Sequence, residues 1–491
     1  MAVIEAKELT FTYPNRTLPA LENVTFSVNE GELVLLMGRS GSGKTTLLRL
    51  MKKEIAPFGK IGGTLECGSE NIGFVFQNPN DSIITDNVIS ELAFSMENAG
   101  ADSGSISRRI GECSAFFNLQ DLLDKKTDAL SGGEKQTVSL AASMMTAPDV
   151  LLLDEPCAHL DPVAEEKFVQ VILRLNRELG TTVIISAHDP EKLLPYADRV
   201  MLLEDGRLTK CAPPSEFALW LKKENHEMLS AMPPGVRLFE QAPLTVREAI
   251  AFSSSLSERS EEEISDGETA LELKHICFAY DKKGRDILFD LSYKAQSGKI
   301  NAVIGANGSG KSTLMKVIAG VLKPYSGKVK TKLKAALLPQ TVQFLFTHDE
   351  VGQEIGADTA EALGIGGLLS YHPLDLSGGE ARLLGLGIVL ETGAELLLLD
   401  EPTAGLDAVA KQRLAEKLKY LCLGGKTVLL VTHDLEFAGR YADCVSFLCD
   451  KRLSKPVSRR EFFSQMELYT TQVRRITRRY LKSAVSEEDI L

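Results

Sequence analysis

Short, uninterrupted apolar runs recur along this chain, each closed by a turn or a charged residue. GELVLLMG, DVLLLDEP and TTVIISAH lie in the first half, and GKINAVIGA, ELLLLDEP and KTVLLVTH in the second. A strand that is apolar on both faces predicts burial on both faces. That is the pattern of a parallel sheet covered by helices, and longer helical stretches separate the runs.

The pattern repeats over most of the chain. Tyr13 precedes Gly38 as Tyr280 precedes Gly305, by 25 residues in each case. Leu-Ser-Gly-Gly-Glu occurs at 130–134 and again at 376–380, and in each copy the serine lies 23 residues before an Asp-Glu pair (131 to 154, 377 to 400). A histidine follows each Asp after one more strand, at 188 and 433. A domain has been duplicated. The expected division is 1–230 for the first copy, 231–268 for a connecting segment and 269–491 for the second copy with a basic tail. Within the connection, Thr245-Val-Arg-Glu248 fits a capping box, and Ser253–Glu268 is polar, acidic and serine-rich, which predicts a flexible linker.

The chemistry sits at the ends of the apolar runs. Gly38-Arg-Ser40-Gly41-Ser-Gly43-Lys44-Thr45-Thr46 and Gly305-Ala-Asn307-Gly308-Ser-Gly310-Lys311-Ser312-Thr313 both fit the P-loop pattern, between a strand and a helix. Glycines let backbone N–H groups turn toward phosphates, and the helix N-terminus adds its positive dipole end. Lys44 and Lys311 are expected at the β- and γ-phosphates, and Thr45 and Ser312 on Mg²⁺. Asp154 and Asp400, at strand ends, can hold the Mg²⁺ shell. Glu155 and Glu401 can orient or deprotonate the attacking water. Equally, such acids can simply cap a strand in solvent. His188 and His433 are expected to position water and γ-phosphate, the alternative being a structural histidine.

A P-loop, a glutamine after a strand, Leu-Ser-Gly-Gly-Glu, Asp-Glu and a strand-end histidine, in that order, resemble the ABC ATPases over nearly the whole chain. The resemblance implies an α/β fold of two tandem P-loop nucleotide-binding cassettes, each with a RecA-like core and a helical subdomain. It implies ATP and Mg²⁺ as cofactors. Gln77 and Gln340 match the Q-loop residues next to Mg²⁺ and the water. Ser131, Gly132, Gly133 and Ser377, Gly378, Gly379 match signature loops that meet the γ-phosphate of the other cassette's ATP. Tyr13 and Tyr280 match the aromatic that stacks on adenine, unless they are core aromatics. Asp161 and Asp407 match D-loop acids and also suit helix N-caps. The two cassettes are expected to pair within a single, monomeric chain.

Narrower resemblance points to fused ATPases of energy-coupling factor (ECF) transporters. It rests on Phe76-Gln77-Asn78-Pro79-Asn80-Asp81 with TDNVISELAFSMEN (85–98), on Pro339-Gln340 with QFLFTHDEVGQEI, and on the tail FFSQMELYTTQVRRITRRY. Ser82 departs from the glutamine that family often carries there. The family implies a membrane coupling subunit, a substrate-capture subunit for a vitamin or transition-metal ion, and a place on the cytoplasmic face of the membrane. The rivals are a soluble tandem ABC protein acting on ribosomes and a fused sugar-importer ATPase. Composition bears on these. The net charge of -12 argues against a nucleic-acid partner, and the acidic Ser253–Glu268 is ill suited to ribosomal RNA. The eight cysteines form no CxxC pair, so neither zinc nor an iron–sulfur cluster is expected. No apolar run approaches a bilayer span and no secretory signal is visible, so a membrane role needs a partner. Arg474, Arg475, Arg478, Arg479 and Lys482 fall on one helical face, which suits either a lipid surface or an ion-paired solvated face. The glutamine-to-signature spacing is 54 residues in the first copy (77 to 131) and 37 in the second (340 to 377). A shorter helical subdomain is therefore expected in the second copy, with Phe94 and Phe344 as candidates for docking a partner.

Overall fold

A computed structural model of the chain describes residues 2–14, 16–158, 160–260, 267–281 and 284–491. The chain divides into two compact units, Met1–Met232 and Pro233–Leu491.

In the first unit the apolar runs become neighbouring strands of one sheet. Its order is Ile72–Val75, Val150–Asp154, Thr182–Ser186, Leu33–Met37, Arg199–Glu204, Arg207–Ala212. All but the last pair run parallel. The strands 33–37, 150–154 and 182–186 are buried along their whole length, as their unbroken apolar pattern requires. A second, antiparallel sheet joins Leu21–Asn29, Ala2–Thr12 and Lys60–Cys67. Between Gln77 and the signature the chain folds into the helices Val88–Asn98 and Ser103–Phe117, which pack with Gly132–Met144.

The second unit repeats this plan. Its large sheet runs Ala335–Leu338, Leu396–Asp400, Thr427–Thr432, Ile300–Ile304, Cys444–Cys449, Arg452–Leu453, and its small sheet joins Leu288–Gln296, Thr269–Phe278 and Ser326–Thr331. The corresponding helical segment is reduced to Val351–Glu354 and Ala357–Leu363. The shorter spacing is thus absorbed where the sequence predicted, in the helices, while the strands that carry the motifs keep their order.

The connecting segment and the tail differ from expectation over part of their length. Thr245 does cap Val246–Ile250 with a reciprocal box to Glu248. The following residues are folded down: Ser253 is fully buried, and the Glu258 carboxylate accepts from the backbone N–H of Lys482 and Ser483 at 2.9 and 2.8 Å. Residues 261–266 of the expected linker lie outside the described residues. The basic tail forms only a short helix, Gln472–Thr477. Ile476 packs with Phe239 and Ala249, and Val473 with Leu481, Ala484 and Ile490. Arg474 donates to the Leu481 carbonyl and Arg478 pairs with Glu467. The tail's apolar side chains thus have a partner in residues 238–256, and its arginines lie at the edge of that packing.

At the centre of this subdomain Asp489 is 1% exposed and meets both Arg459 (2.7 Å) and Arg460 (2.8 Å). Burial pushes its carboxyl up, but the Arg459 hydrogen bond and charge, with the Val485 and Ser486 N–H groups, draw it down to about 2. A carboxylate with a depressed pKa stabilises the fold above its unfolded value, about 3.9, and loses that contribution as pH falls toward its folded value. Asp489→Ala should therefore destabilise the second unit by about 3 kcal/mol at neutral pH, since it leaves two arginines beside an empty site. Urea denaturation should show this difference shrinking between roughly pH 4 and pH 2. A variant as stable as the parent at neutral pH would contradict the assignment.

Candidate active sites

The first site is built at the carboxyl ends of adjacent strands, where an open parallel sheet leaves a crevice. Strand Leu33–Met37 runs into the P-loop at Gly38, where a Cβ would lie 2.2 Å from the Leu203 carbonyl oxygen. Gly43, at φ 101°, caps the helix Lys44–Leu50. Gly305 and Gly310 meet the same two demands in the second unit, with a Cβ 2.5 Å from the Leu448 oxygen and φ 103°. Lys44 is buried, and its ammonium donates to the Gly38 and Arg39 carbonyls at 2.9 and 3.1 Å. Lys311 donates to Gly305 and Ala306 at 2.9 and 3.2 Å. The ammonium is thus aimed across the mouth of the loop.

Facing it are the strand-end carboxylates. Glu155 Oε1 lies 3.4 Å from Lys44 Nζ, and its Oε2 is 2.7 Å from His188 Nε2 and accepts from Gln77 Nε2 at 3.0 Å. In the second unit Glu401 lies 3.2 Å from Lys311 Nζ and 2.9 Å from His433 Nδ1. Both glutamates sit at positive φ, 45° and 48°, which swings the side chain off the strand and costs on the order of 1–3 kcal/mol. Burial pushes each glutamate carboxyl up, but the histidine hydrogen bond and charge and the lysine ammonium outweigh it. Both pKa values fall below the ordinary carboxylate range. Asp154 and Asp400 go the other way. Burial, with the neighbouring glutamate charge, raises them against the hydrogen bonds from Thr45 and Ser312. The two carboxylates of each Asp-Glu pair are thus shifted in opposite directions by their surroundings.

The donor set fits Mg²⁺. Ser312 Oγ donates to Asp400 Oδ1 at 3.0 Å, and the Thr45 hydroxyl bonds Asp154, so a hydroxyl and a carboxylate oxygen adjoin in each unit. Mg²⁺ takes few protein oxygens and completes its shell with phosphate and water. Phosphate oxygens drawn to Lys44 would compete with Glu155 for the ammonium and leave Glu155 with His188 and Gln77, beside the attacking water.

Tyr13 and Tyr280 each bond the hydroxyl of Thr46 or Thr313 at 3.0 Å and stand edge-on to Phe11 or Phe278, at 4.9 and 5.1 Å. Tyr280 is 61% exposed, so it is not a core aromatic. Ser131 and Ser377 are N-caps of Gly132–Met144 and Gly378–Glu391, and each hydroxyl donates to the glutamate three residues on at 2.7 Å. Leu-Ser-Gly-Gly-Glu is therefore also a capping box, a signal its spacing carried but which the phosphate-binding reading overlooked. Asp161 and Asp407 are N-caps as well.

Some contacts were not anticipated. Gln136 Nε2 donates to the Phe76 carbonyl (3.2 Å) and Arg382 to the Gln340 carbonyl (2.8 Å), each joining the signature helix to the Q-loop. Arg39, within the P-loop, pairs with Glu227 at 3.0 Å. Nothing in the motif spacing announces these pairings, because they depend on which loops the fold brings together.

With this geometry in hand, relatives decide the family. The sequence profile described as ABC transporter matches residues 21–158 and 288–404, once on each P-loop and Asp-Glu set. The chain belongs to the ABC transporter family. It is an ATPase with tandem ABC cassettes. A Bacillus anthracis protein named as an ABC transporter ATP-binding protein is 37% identical over 100% of this chain and 98% of its own length. YkoD of Bacillus subtilis, named for HMP/thiamine import, is 30% identical over 94% of this chain and 93% of its own. Among solved structures, an RNase-L inhibitor superposes with TM-score 0.64 at 21% identity, covering 94% of this chain and 92% of that one. A complex of archaeal ribosome recycling factor aABCE1 with stalk protein aP1 gives 0.65 at 20%, covering 93% and 91%. These two are similar in fold.

Both ABC cassettes carry a complete lysine, carboxylate and histidine set, so both should turn over ATP. Glu155→Gln and Glu401→Gln should each retain bound nucleotide and each cut steady-state hydrolysis by at least about a hundredfold per affected site. A filter-binding assay beside a phosphate-release assay checks both halves of this statement. If either variant kept parental turnover, that glutamate would not be the base.

Proposed function

We propose that this ATPase energises a membrane importer of the ECF type, taking up a vitamin or a transition-metal ion. It would work at the cytoplasmic face beside a membrane coupling subunit and a substrate-capture subunit. The observation that carries the reading is the inequality of the two helical subdomains. Val88–Asn98 and Ser103–Phe117 are long helices, whereas Val351–Glu354 and Ala357–Leu363 amount to about one and two turns. Two identical transmembrane partners would present one kind of cytoplasmic helix to two unlike surfaces. A single asymmetric coupling subunit, with two different helices, fits unlike surfaces better. The similarity to YkoD, a protein named for HMP/thiamine import, and the sequence following Gln77 support the same reading. Among the described residues no helix is long and apolar enough to cross a membrane.

Helix-in-groove docking relies on apolar anchors. Phe344 is 82% exposed on the turn Val342–Leu345, and suits this role. Phe94 is half-buried within its helix. Ile84, at 69% exposure just after the Q-loop, is the better anchor in the first cassette. Phe344→Asp and Ile84→Asp should each lower co-sedimentation with membranes carrying the partner by on the order of tenfold or more. Binding of both variants at the parental level would reject the docking surface. Co-sedimentation of the parent with ribosomes rather than membranes would reject the transporter reading itself.

A further inference from the structure

Among their differences, the two sites diverge at a buried position two residues before the histidine of each cassette. The strand Thr182–Ser186 ends in Ser186, which lies opposite Asp154 in parallel register; Val431 lies opposite Asp400 in the same way. Both residues are fully buried. Ser186 Oγ donates to Asp154 Oδ1 at 2.9 Å and accepts from the Glu155 backbone N–H, also at 2.9 Å. A hydroxyl has a single proton, so donation to Asp154 fixes its rotor and turns a lone pair toward Glu155. One side chain therefore holds the carboxylate of one residue and the strained backbone of the next. In the second cassette the Glu401 N–H donates to the Val431 carbonyl at 2.9 Å, and the valine side chain offers Asp400 no hydrogen bond. Asp154 thus has hydroxyl partners on two sides, Thr45 and Ser186, where Asp400 has Ser312 on one.

We propose that Ser186 is a positioning residue of the first ATPase site, orienting Asp154 for Mg²⁺ and fixing the backbone turn at Glu155, and that Val431 leaves the second site without this support. Groups that hydrogen-bond a metal ligand fix its orientation, and losing one typically lowers metal affinity by about ten- to a hundredfold. The two cassettes should then hold their metal unequally although their motif residues match. This inference rests on Asp154 and Asp400 being metal ligands.

Mn²⁺ serves as a probe that needs no turnover. In the full chain carrying Glu155→Gln and Glu401→Gln, with ATP present, the fall of the free Mn²⁺ paramagnetic resonance signal counts bound metal and its affinity. The parent should bind two Mn²⁺. Ser186→Ala should weaken one of them by about tenfold. It should leave the other unchanged, with metal-free ATP binding intact. Ser186→Thr, which keeps the hydroxyl on a strand, should restore the parental curve, and Val431→Ala should change neither site. Unchanged affinities in Ser186→Ala would overturn the proposal. So would equal weakening of both sites together with metal-free ATP binding, which marks a general loss of fold. If the parent bound no Mn²⁺ with ATP, the ligand reading of Asp154 and Asp400 would fall first and take the proposal with it.

Discussion

Each cassette depends on a buried lysine ammonium facing a buried glutamate across the carboxyl edge of a parallel sheet. Lys44 and Lys311 are 4% and 5% exposed, and Glu155 and Glu401 are 8% and 4% exposed. Charges so far from water are costly unless paired, and removing one partner leaves the other uncompensated. The sheet order supplies the pairing. The P-loop strand, the histidine strand and the Asp-Glu strand lie side by side, so a lysine and a glutamate 111 positions apart in the first cassette and 90 in the second end at one edge. The glycines of the loop bring backbone carbonyls onto the lysine, and the histidine and the Q-loop glutamine share the load on the glutamate in the first site. What neutralises these charges in the folded protein is also what phosphate and water require.

That edge was largely legible in the sequence, for a physical reason. An unbroken apolar run can be stable only inside a two-faced layer, so a strand that ends abruptly in Asp-Glu or in His must deliver polar groups to the rim of a buried sheet. Two copies in the same order removed the ambiguity. The shorter helical subdomain of the second copy was legible too, because residues can be lost only where no motif strand constrains them. Contacts between distant loops were not legible. Gln136 on the Phe76 carbonyl, Arg39 on Glu227 and Ser186 on Asp154 join segments whose proximity is decided by tertiary packing. Ser186 looked like one more strand residue, since a serine inside an apolar run carries no sign of what it will face. The stretch after Ser253 misled in the opposite way. Its serines and acids suggested a solvated linker, yet Glu258 caps the backbone at Lys482 and Ser483, and Ser253 is buried beneath the C-terminal subdomain.

The duplication has not preserved symmetry. Matching motif residues keep the chemistry alike in both cassettes, while the helical subdomains and the shell around Asp154 and Asp400 diverge. Divergence of the first kind lies on the surfaces proposed for docking a partner; divergence of the second lies beside the carboxylates proposed to hold the metal. Both leave the lysine–glutamate pair intact, which is why they could arise without dismantling the ATPase.

Each buried lysine should organise the nucleotide site of its own cassette. Equilibrium dialysis of the chain against Mg²⁺ and a non-hydrolysable ATP analogue tests it. The account predicts two analogues bound per chain for the parent and one for Lys44→Ala or Lys311→Ala, with the double variant binding neither. A stoichiometry of one in the parent, or loss of both sites on changing either lysine alone, would contradict it.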